Sequence, residues 1–222
     1  MNILKYDNII FDCDGVILNS NDIKTNVFRK ISLPFGQYVS NDFVKYHIEN
    51  QGASRYLKIK HLTSIVDEKD ELKNSLEERL IKLFSDEVRD SLLSAEITSD
   101  LSELRSRTIG QNWFVVSGGD QDELRYVFSK KGISDYFNKG IYGSPRTKYE
   151  LIDYLKEINL LKGSTVFIGD SKLDYKVAKN FNFDFIFLYQ WTDFEDWRRY
   201  FKKIPISVFK SISELCSKTH SI

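Results

Sequence analysis

Hydrophobic and polar positions along the chain follow two different periods. The runs Ile9-Ile10-Phe11, Trp113 to Val116, Thr165 to Ile168 and Phe185 to Leu188 are almost wholly apolar and predict buried strands. Gly140-Ile141-Tyr142 and Ile206 to Phe209 are shorter candidates. Helical spacing fills the gaps: Leu101, Leu104 and Arg105 precede the second run, Leu124, Val127 and Phe128 follow it, Leu151, Ile152 and Leu155 precede the fourth, and Val177 and Ala178 follow that. Such alternation predicts an α/β fold, a Rossmann-like parallel sheet with helices on both faces.

Residues 19 to about 92 interrupt the pattern. Strands disappear there, and Leu72, Leu76, Leu80 and Leu83 recur at helical spacing. The stretch reads as an inserted all-helical cap subdomain over 19–92, leaving 1–18 and 93–222 as the core. The phenylalanines at 181, 183, 185 and 187 alternate strictly, which marks a strand face packed on helices rather than a stacking platform for a ligand. Thr192-Asp193-Phe194-Glu195 fits a capping box opening a helix through Trp197 and Phe201.

Composition removes several classes of function. With 222 residues the chain can bury a sizeable core, and its 32 basic side chains balance its 32 acidic ones. Binding to nucleic acid or an anionic membrane by bulk charge is therefore not expected. The start, Met1 to Asp7, runs directly into the first strand, and no apolar stretch reaches membrane-spanning length. This predicts a soluble cytoplasmic protein. Cys13 and Cys216 lack metal-ligand spacing and are expected to be reduced thiols.

The candidate chemistry lies where the strands end. In open parallel sheets the ligand sits outside the carboxyl ends of the strands, so the residues following them form one neighbourhood. Asp12 and Asp14 follow the first strand, Ser117-Gly118-Gly119 the second, and Gly169-Asp170-Ser171-Lys172-Leu173-Asp174 the fourth, while Lys148 precedes the fourth. Residues i and i+2 of an extended chain share a face, so Asp12 and Asp14 point together and Cys13 points away. Acids suit a divalent cation and proton transfer; a serine, backbone-exposing glycines and a lysine suit a phosphoryl group.

These motifs, in order and at these spacings, resemble the haloacid dehalogenase-like superfamily, in its phosphatase and phosphomutase branch with a helical cap (phosphoglycolate phosphatase and β-phosphoglucomutase-like proteins). The resemblance runs from about Asn8 to Leu188. It implies Asp12 as nucleophile forming an aspartyl phosphate and Asp14 as general acid/base. It also implies Mg²⁺ held by Asp12, Asp170 and the backbone carbonyl of Asp14, and phosphoryl oxygens held by Ser117, the amide of Gly118 and Lys148. Asp174 then orients Lys148 or a metal-bound water, or only caps the helix after it. Lys139 competes with Lys148 as the motif lysine, though the Gly143-Ser144-Pro145 run favours 148.

The reaction so implied is Mg²⁺-dependent hydrolysis of a small phosphorylated metabolite, with a sugar phosphate as the expected class. A sugar phosphomutase is the alternative, and a non-catalytic phospho-acceptor is disfavoured by the second aspartate and the long insertion. A haloacid dehalogenase proper is disfavoured because Asp14 is present. In the insertion, Gly52-Ala53-Ser54-Arg55 is the candidate substrate-reading loop, with a cap-surface arginine as the competing reading of Arg55. His47, His61 and His220 show no ligand spacing. Oligomeric state is left open.

Overall fold

All six expected strands form, and they join one parallel sheet. The computed structural model describes residues 2–67 and 69–219, so His220 lies outside the described residues. The strands are β1 (Asn8–Phe11), β2 (Asn112–Asp120), β3 (Ile141–Ser144), β4 (Thr165–Gly169), β5 (Asp184–Leu188) and β6 (Ser207–Phe209), in the order β3-β2-β1-β4-β5-β6. β1 pairs with β2 on one side and β4 on the other, placing the end of β1 where the strand order reverses.

Strand period decides which layer each residue enters. Ile9, Phe11, Trp113, Val115, Val166 and Ile168 join one core cluster, while Ile10, Phe114, Val116, Phe167, Phe185 and Phe187 join the other. The helices are α1 (Asn21–Ser32), α2 (Gln37–Glu49), α3 (Arg55–Ile65) and α4 (Asp70–Ser94), all between β1 and β2, then α5 (Leu101–Arg107) and α6 (Gln121–Lys130). They continue with α7 (Lys148–Glu157), α8 (Lys172–Asn180), α9 (Trp197–Phe201) and α10 (Ile212–Ser217). Buried residues of α5, α6 and α10 cover the first face; those of α7, α8 and α9 cover the second.

The helical cap, α1 to α4, rises from the end of β1. Its apolar residues, including Phe28, Phe43, Ile59 and Phe84, are continuous with the first core cluster. The chain enters and leaves it side by side: Leu18 bridges Ile97, Asn19 N donates to Glu96 O at 3.0 Å and Thr98 N donates to Ile17 O at 2.8 Å.

Local details differ from the sequence reading at three places. The buried stripe of α4 is Leu80, Phe84, Val88 and Leu92, whereas Leu72 and Leu83 are exposed. A four-residue step drifts around a helix of 3.6 residues per turn, so the leucine row leaves the interface towards the start of α4. β5 begins at Asp184, so Phe185 and Phe187 alternate within the strand while Phe181 and Phe183 precede it, with Asn182 at φ 57°. The helix through Trp197 opens at Asp196, not at Thr192. The Thr192 hydroxyl is used elsewhere, donating to Asp170 O at 2.5 Å and accepting from Phe194 N at 3.0 Å, a local bond that competes with helix capping.

Candidate active site

The two carboxylates of β1 project together beyond its end. Asp12 and Asp14 both line a cavity between sheet and cap, while Cys13 is packed in the core with Phe11. One Asp12 oxygen accepts from Cys13 N at 2.7 Å; the other pairs with Lys148 Nζ at 2.8 Å. Gly15 turns the chain immediately afterwards at φ 75°, and a Cβ there would lie 2.1 Å from Asp170 Oδ2, so only glycine fits.

Lys148 and Asp174 arrive on the first turns of neighbouring helices. Thr147 caps α7 in a capping box with Glu150, which fixes Lys148 as the first helical residue. Ser171 caps α8 in a second box whose acid is Asp174. Asp174 therefore caps the helix and holds the lysine as well, its other oxygen lying 2.6 Å from Lys148 Nζ. Lys139 lies before β3, its backbone N–H bonded to Trp113 O, away from these groups.

β2 differs from a plain strand followed by a turn. It continues through Ser117-Gly118-Gly119 to Asp120, with its register to β3 shifting between Val116 and Asp120. The Ser117 side chain is buried and accepts from Gly119 N at 3.1 Å, and Gly118 O accepts from Ser144 Oγ at 2.7 Å. The cap loop rests on this segment: a Cβ on Gly118 would stand 2.4 Å from Gly52 O and 2.9 Å from Ala53 O. Because backbone opposes backbone there, Gly118→Ala is expected to hold the cap away from the core. Turnover of any phosphate ester should fall at least about tenfold with an unchanged circular dichroism spectrum; wild-type kcat/KM would show that the contact is dispensable.

Asp170 is braced by the segment after β5. Asn21 Nδ2 donates to Asp170 Oδ2 at 2.9 Å and to Trp191 O at 2.8 Å, and Thr192 holds the Asp170 backbone. Asp12, Asp170 and Asp174 each bring one oxygen within 4.8 Å of the others. Burial, then the neighbouring carboxylates, push the pKa values of Asp12 and Asp170 upward. Burial alone would lower that of Lys148, but Asp12 and Asp174 outweigh it and hold the ammonium charged. Three buried acids sharing one lysine are under-compensated, and their hard oxygens fit a divalent cation such as Mg²⁺. Asp12 and Asp170 are the residues that would hold it, since both line the cavity and Asp174 does not.

Asp14 belongs to the cap side. It accepts from Ser20 Oγ at 2.6 Å and is ion-paired to Lys24 of α1. Burial would raise its pKa, but the charge and hydrogen bond of Lys24, with Ser20, outweigh burial and keep it below the ordinary carboxylate value. The sequence reading missed Lys24, as it missed Asn21, His47, Lys58 and Asp193, which also line the cavity. A signal existed for the first two: Asn21 and Lys24 sit one turn apart at the start of the first helix after β1. For His47 and Lys58 the sequence carries none.

Arg55 is not on the cap surface. It follows the N-cap Ser54 on α3, is 3% exposed, and lies over the Phe84 ring at 4.7 Å. Its guanidinium is bidentate to Glu123 of α6 and bonded to Ser85 Oγ at 3.0 Å, tying cap to core. Removing one partner of a buried ion pair strands the other charge. Arg55→Ala is therefore expected to loosen closure and cut kcat/KM about ten- to hundredfold on every substrate tried, a generic aryl phosphate included. An unimpaired rate on the aryl phosphate would break this assignment.

The family model described as haloacid dehalogenase-like hydrolase matches residues 9–188. The chain belongs to that family. No curated protein matches the sequence. Among solved structures, a candidate phosphoglycolate phosphatase from Lactobacillus plantarum superposes with TM-score 0.71 at 16% identity, covering 98% of this chain and 99% of its own. A candidate haloacid dehalogenase-like hydrolase from Bacteroides fragilis gives 0.73 at 18% identity over 95% of this chain and all (100%) of the other. CbbY from Rhodobacter sphaeroides, solved with phosphate, gives 0.68 at 13% identity over 95% and 96%. The fold is thus that of the haloacid dehalogenase-like hydrolases, a Rossmann-like sheet under a helical cap. No described helix is long and apolar enough to cross a membrane.

Proposed function

We propose that the protein is a Mg²⁺-dependent phosphomonoesterase that transfers the phosphoryl group of a small phosphorylated metabolite to Asp12 and then to water. The observation that carries this reading is the placement of Asp12 at the sheet's switch point, paired to Lys148, beside Asp170 and beneath a cap that supplies Asp14 with its partners. Phosphate monoesters hydrolyse so slowly unaided that enzymes supply up to ~21 orders of magnitude, and a covalent route divides that barrier in two. The Lactobacillus plantarum protein that the fold resembles is itself a candidate phosphatase of a small phosphorylated acid, phosphoglycolate.

Residue roles follow from the bonds described above. The bonds from Cys13 N and Lys148 fix the Asp12 carboxylate for attack on phosphorus, and Lys148 offsets charge developing on the phosphoryl oxygens. The Ser117 hydroxyl and the Gly118 amide would hold those oxygens. Asp14, kept ionised by Lys24, suits taking a proton from the water that attacks the aspartyl phosphate. For the first half-reaction it must carry a proton to the departing alkoxide, against the pull of Lys24. Bound at Asp12, Asp170 and the Asp14 carbonyl, Mg²⁺ would supply charge neutralisation between carboxylates and phosphate.

The unit that closes over the site corresponds to residues 19–92, and the balanced charge fits a cytoplasmic enzyme whose partner is a small ester rather than nucleic acid or membrane. The cavity between cap and core is about 40 Å³, room for a few waters at most. A sugar phosphate, the substrate expected from the sequence, needs more room than this, so binding it would require the cap to open. Phosphate release from a panel of sugar phosphates, phosphorylated acids, nucleotides and phosphorylated amino acids, with chromatography of the products, tests the reading. Inorganic phosphate supports it, an isomerised sugar phosphate makes the protein a phosphomutase, and a stable phosphoprotein without turnover makes it a phospho-acceptor.

A further inference from the structure

α4 carries two rows of apolar side chains, and the cap core uses one of them. Leu80, Phe84, Val88 and Leu92 form the buried row, and Phe84 also lines the catalytic cavity. Leu72, Leu76, Arg79 and Leu83 form the other, in steps of four, three and four residues, the spacing of a seam that packs against a second helix. Leu76 is half-buried, but Leu72 is 48% exposed and Leu83 43%. Leu33, in the neighbouring 3₁₀ turn Leu33–Phe35, is equally open at 49%. A continuous apolar row of this kind is unfavourable in water until something covers it.

A groove of about 540 Å³ runs beside the row, with Ile31, Pro34 and Phe35 on one bank and Leu76, Leu80 and Leu83 on the other. The charges flanking the row are ordered along the helix: Glu71 and Glu78 come first, Arg79 and Lys82 after them. All four are exposed, and among the described residues none of them is ion-paired within the chain. Glu71, Glu78 and Lys82 fall within about 40° of one another around the helix, so they edge the same side of the row. Laid antiparallel on a copy of itself, α4 answers its own pattern. With a two-fold axis between Leu76 and Arg79, Leu72 of one chain meets Leu83 of the other, Glu71 comes beside Lys82, and Glu78 beside Arg79. Leu72 then enters the groove next to Pro34 and Phe35. A parallel pairing would instead set Glu71 against Glu71 and Lys82 against Lys82.

We propose that this face of α4 is a homodimer interface, in which two copies of the chain pack their α4 helices antiparallel through Leu72, Leu76 and Leu83, with Glu71 of each chain paired to Lys82 of the other. The arrangement is isologous, so every contact occurs twice and the assembly closes at two chains. Arg79, inside the seam, lays its aliphatic stem along Leu76 of the other chain and turns its guanidinium out to Glu78. Pairing of this kind covers the row that the cap core leaves open and spares the row that carries Phe84. A seam of three helical turns with an arginine in it gives a dissociation constant on the order of micromolar rather than a permanent assembly.

Analytical ultracentrifugation of the full chain, at concentrations well below and well above about 10 μM, tests this. The wild-type protein is expected to pass from monomer to dimer across that range. Leu72→Glu, which puts a carboxylate into an apolar groove at two symmetry-related places, should weaken the dimer at least about a hundredfold. Because Leu72 is exposed, the variant should keep the wild-type circular dichroism spectrum. Charge reversal reads the register. Lys82→Glu and Glu71→Lys each set like charges together twice and should weaken association about tenfold, while the double variant, with the pair reversed, should return to within about threefold of wild type. Were Leu72→Glu to misfold, the reversal series alone decides. A wild-type chain that stays monomeric throughout, a dimer that persists in Leu72→Glu, or a double reversal no tighter than the single ones would overturn the proposal.

Discussion

Asp12→Asn is expected to reduce turnover by several orders of magnitude while leaving the fold intact. The amide keeps the shape of the side chain and its bond from Cys13 N, but it is not a nucleophile and is a poor metal ligand. Stability supplies a second readout. Burial, and after it the neighbouring Asp174 and Asp14, raise the Asp12 pKa against the pull of Lys148, so its ionised form opposes folding when no cation is bound. In chelator the variant should therefore melt at or above the wild-type temperature. More than about a tenth of wild-type turnover would remove Asp12 as nucleophile, since losing a nucleophile costs far more than tenfold. A deep fall in melting temperature would show that the residue is structural.

The second large effect is expected from Mg²⁺. Turnover should vanish in EDTA and return with Mg²⁺, while Ca²⁺, with looser and more numerous ligands, should bind without restoring the rate. At one hundred times its Kd, bound Mg²⁺ adds about 2.7 kcal/mol of stability, a rise in melting temperature of roughly 5–11 °C for a chain of this size. The pH dependence has a definite sign. Because the folded-state pKa values of Asp12 and Asp170 are raised, the folded chain holds protons that the unfolded chain has lost. Without metal, stability should fall as pH climbs from the ordinary carboxylate value of about 4 through the raised ones. Mg²⁺ should flatten that slope, since a bound cation replaces the protons. Full activity in chelator, or a melting temperature indifferent to Mg²⁺, would dismiss the metal site.

The sheet and its motifs were legible because each is written in adjacent residues. An apolar run followed by Asp12-Cys13-Asp14-Gly15 is a strand, its end and its turn within a few positions, and the Ser171 to Asp174 box is equally local. What brings Arg55 to Glu123 is not local at all. The partners are 68 residues apart, and helical periodicity says that a face turns inward without saying what it meets. Lys58 and His47 were hidden for the same reason, since an inward lysine reads like any surface lysine until its neighbours are known. The short Thr192 bond that replaced the expected capping box shows the converse, a tertiary contact overruling a correct local pattern.

The chain enters and leaves the cap through adjacent, hydrogen-bonded segments at Leu18 and Ile97. Topologically the cap is thus a cassette: its two ends are already together, and no core strand has to part for it to be exchanged. A helical insertion from a relative of the same fold could be spliced across that pair with β1 still ending in Asp12 and Asp14. Since Lys24 and Arg55 travel with the insertion while Lys148 and Asp170 stay behind, such a chimera would take the partners of Asp14 and Glu123 from the donor and keep the strand-end acids and their lysine from the recipient.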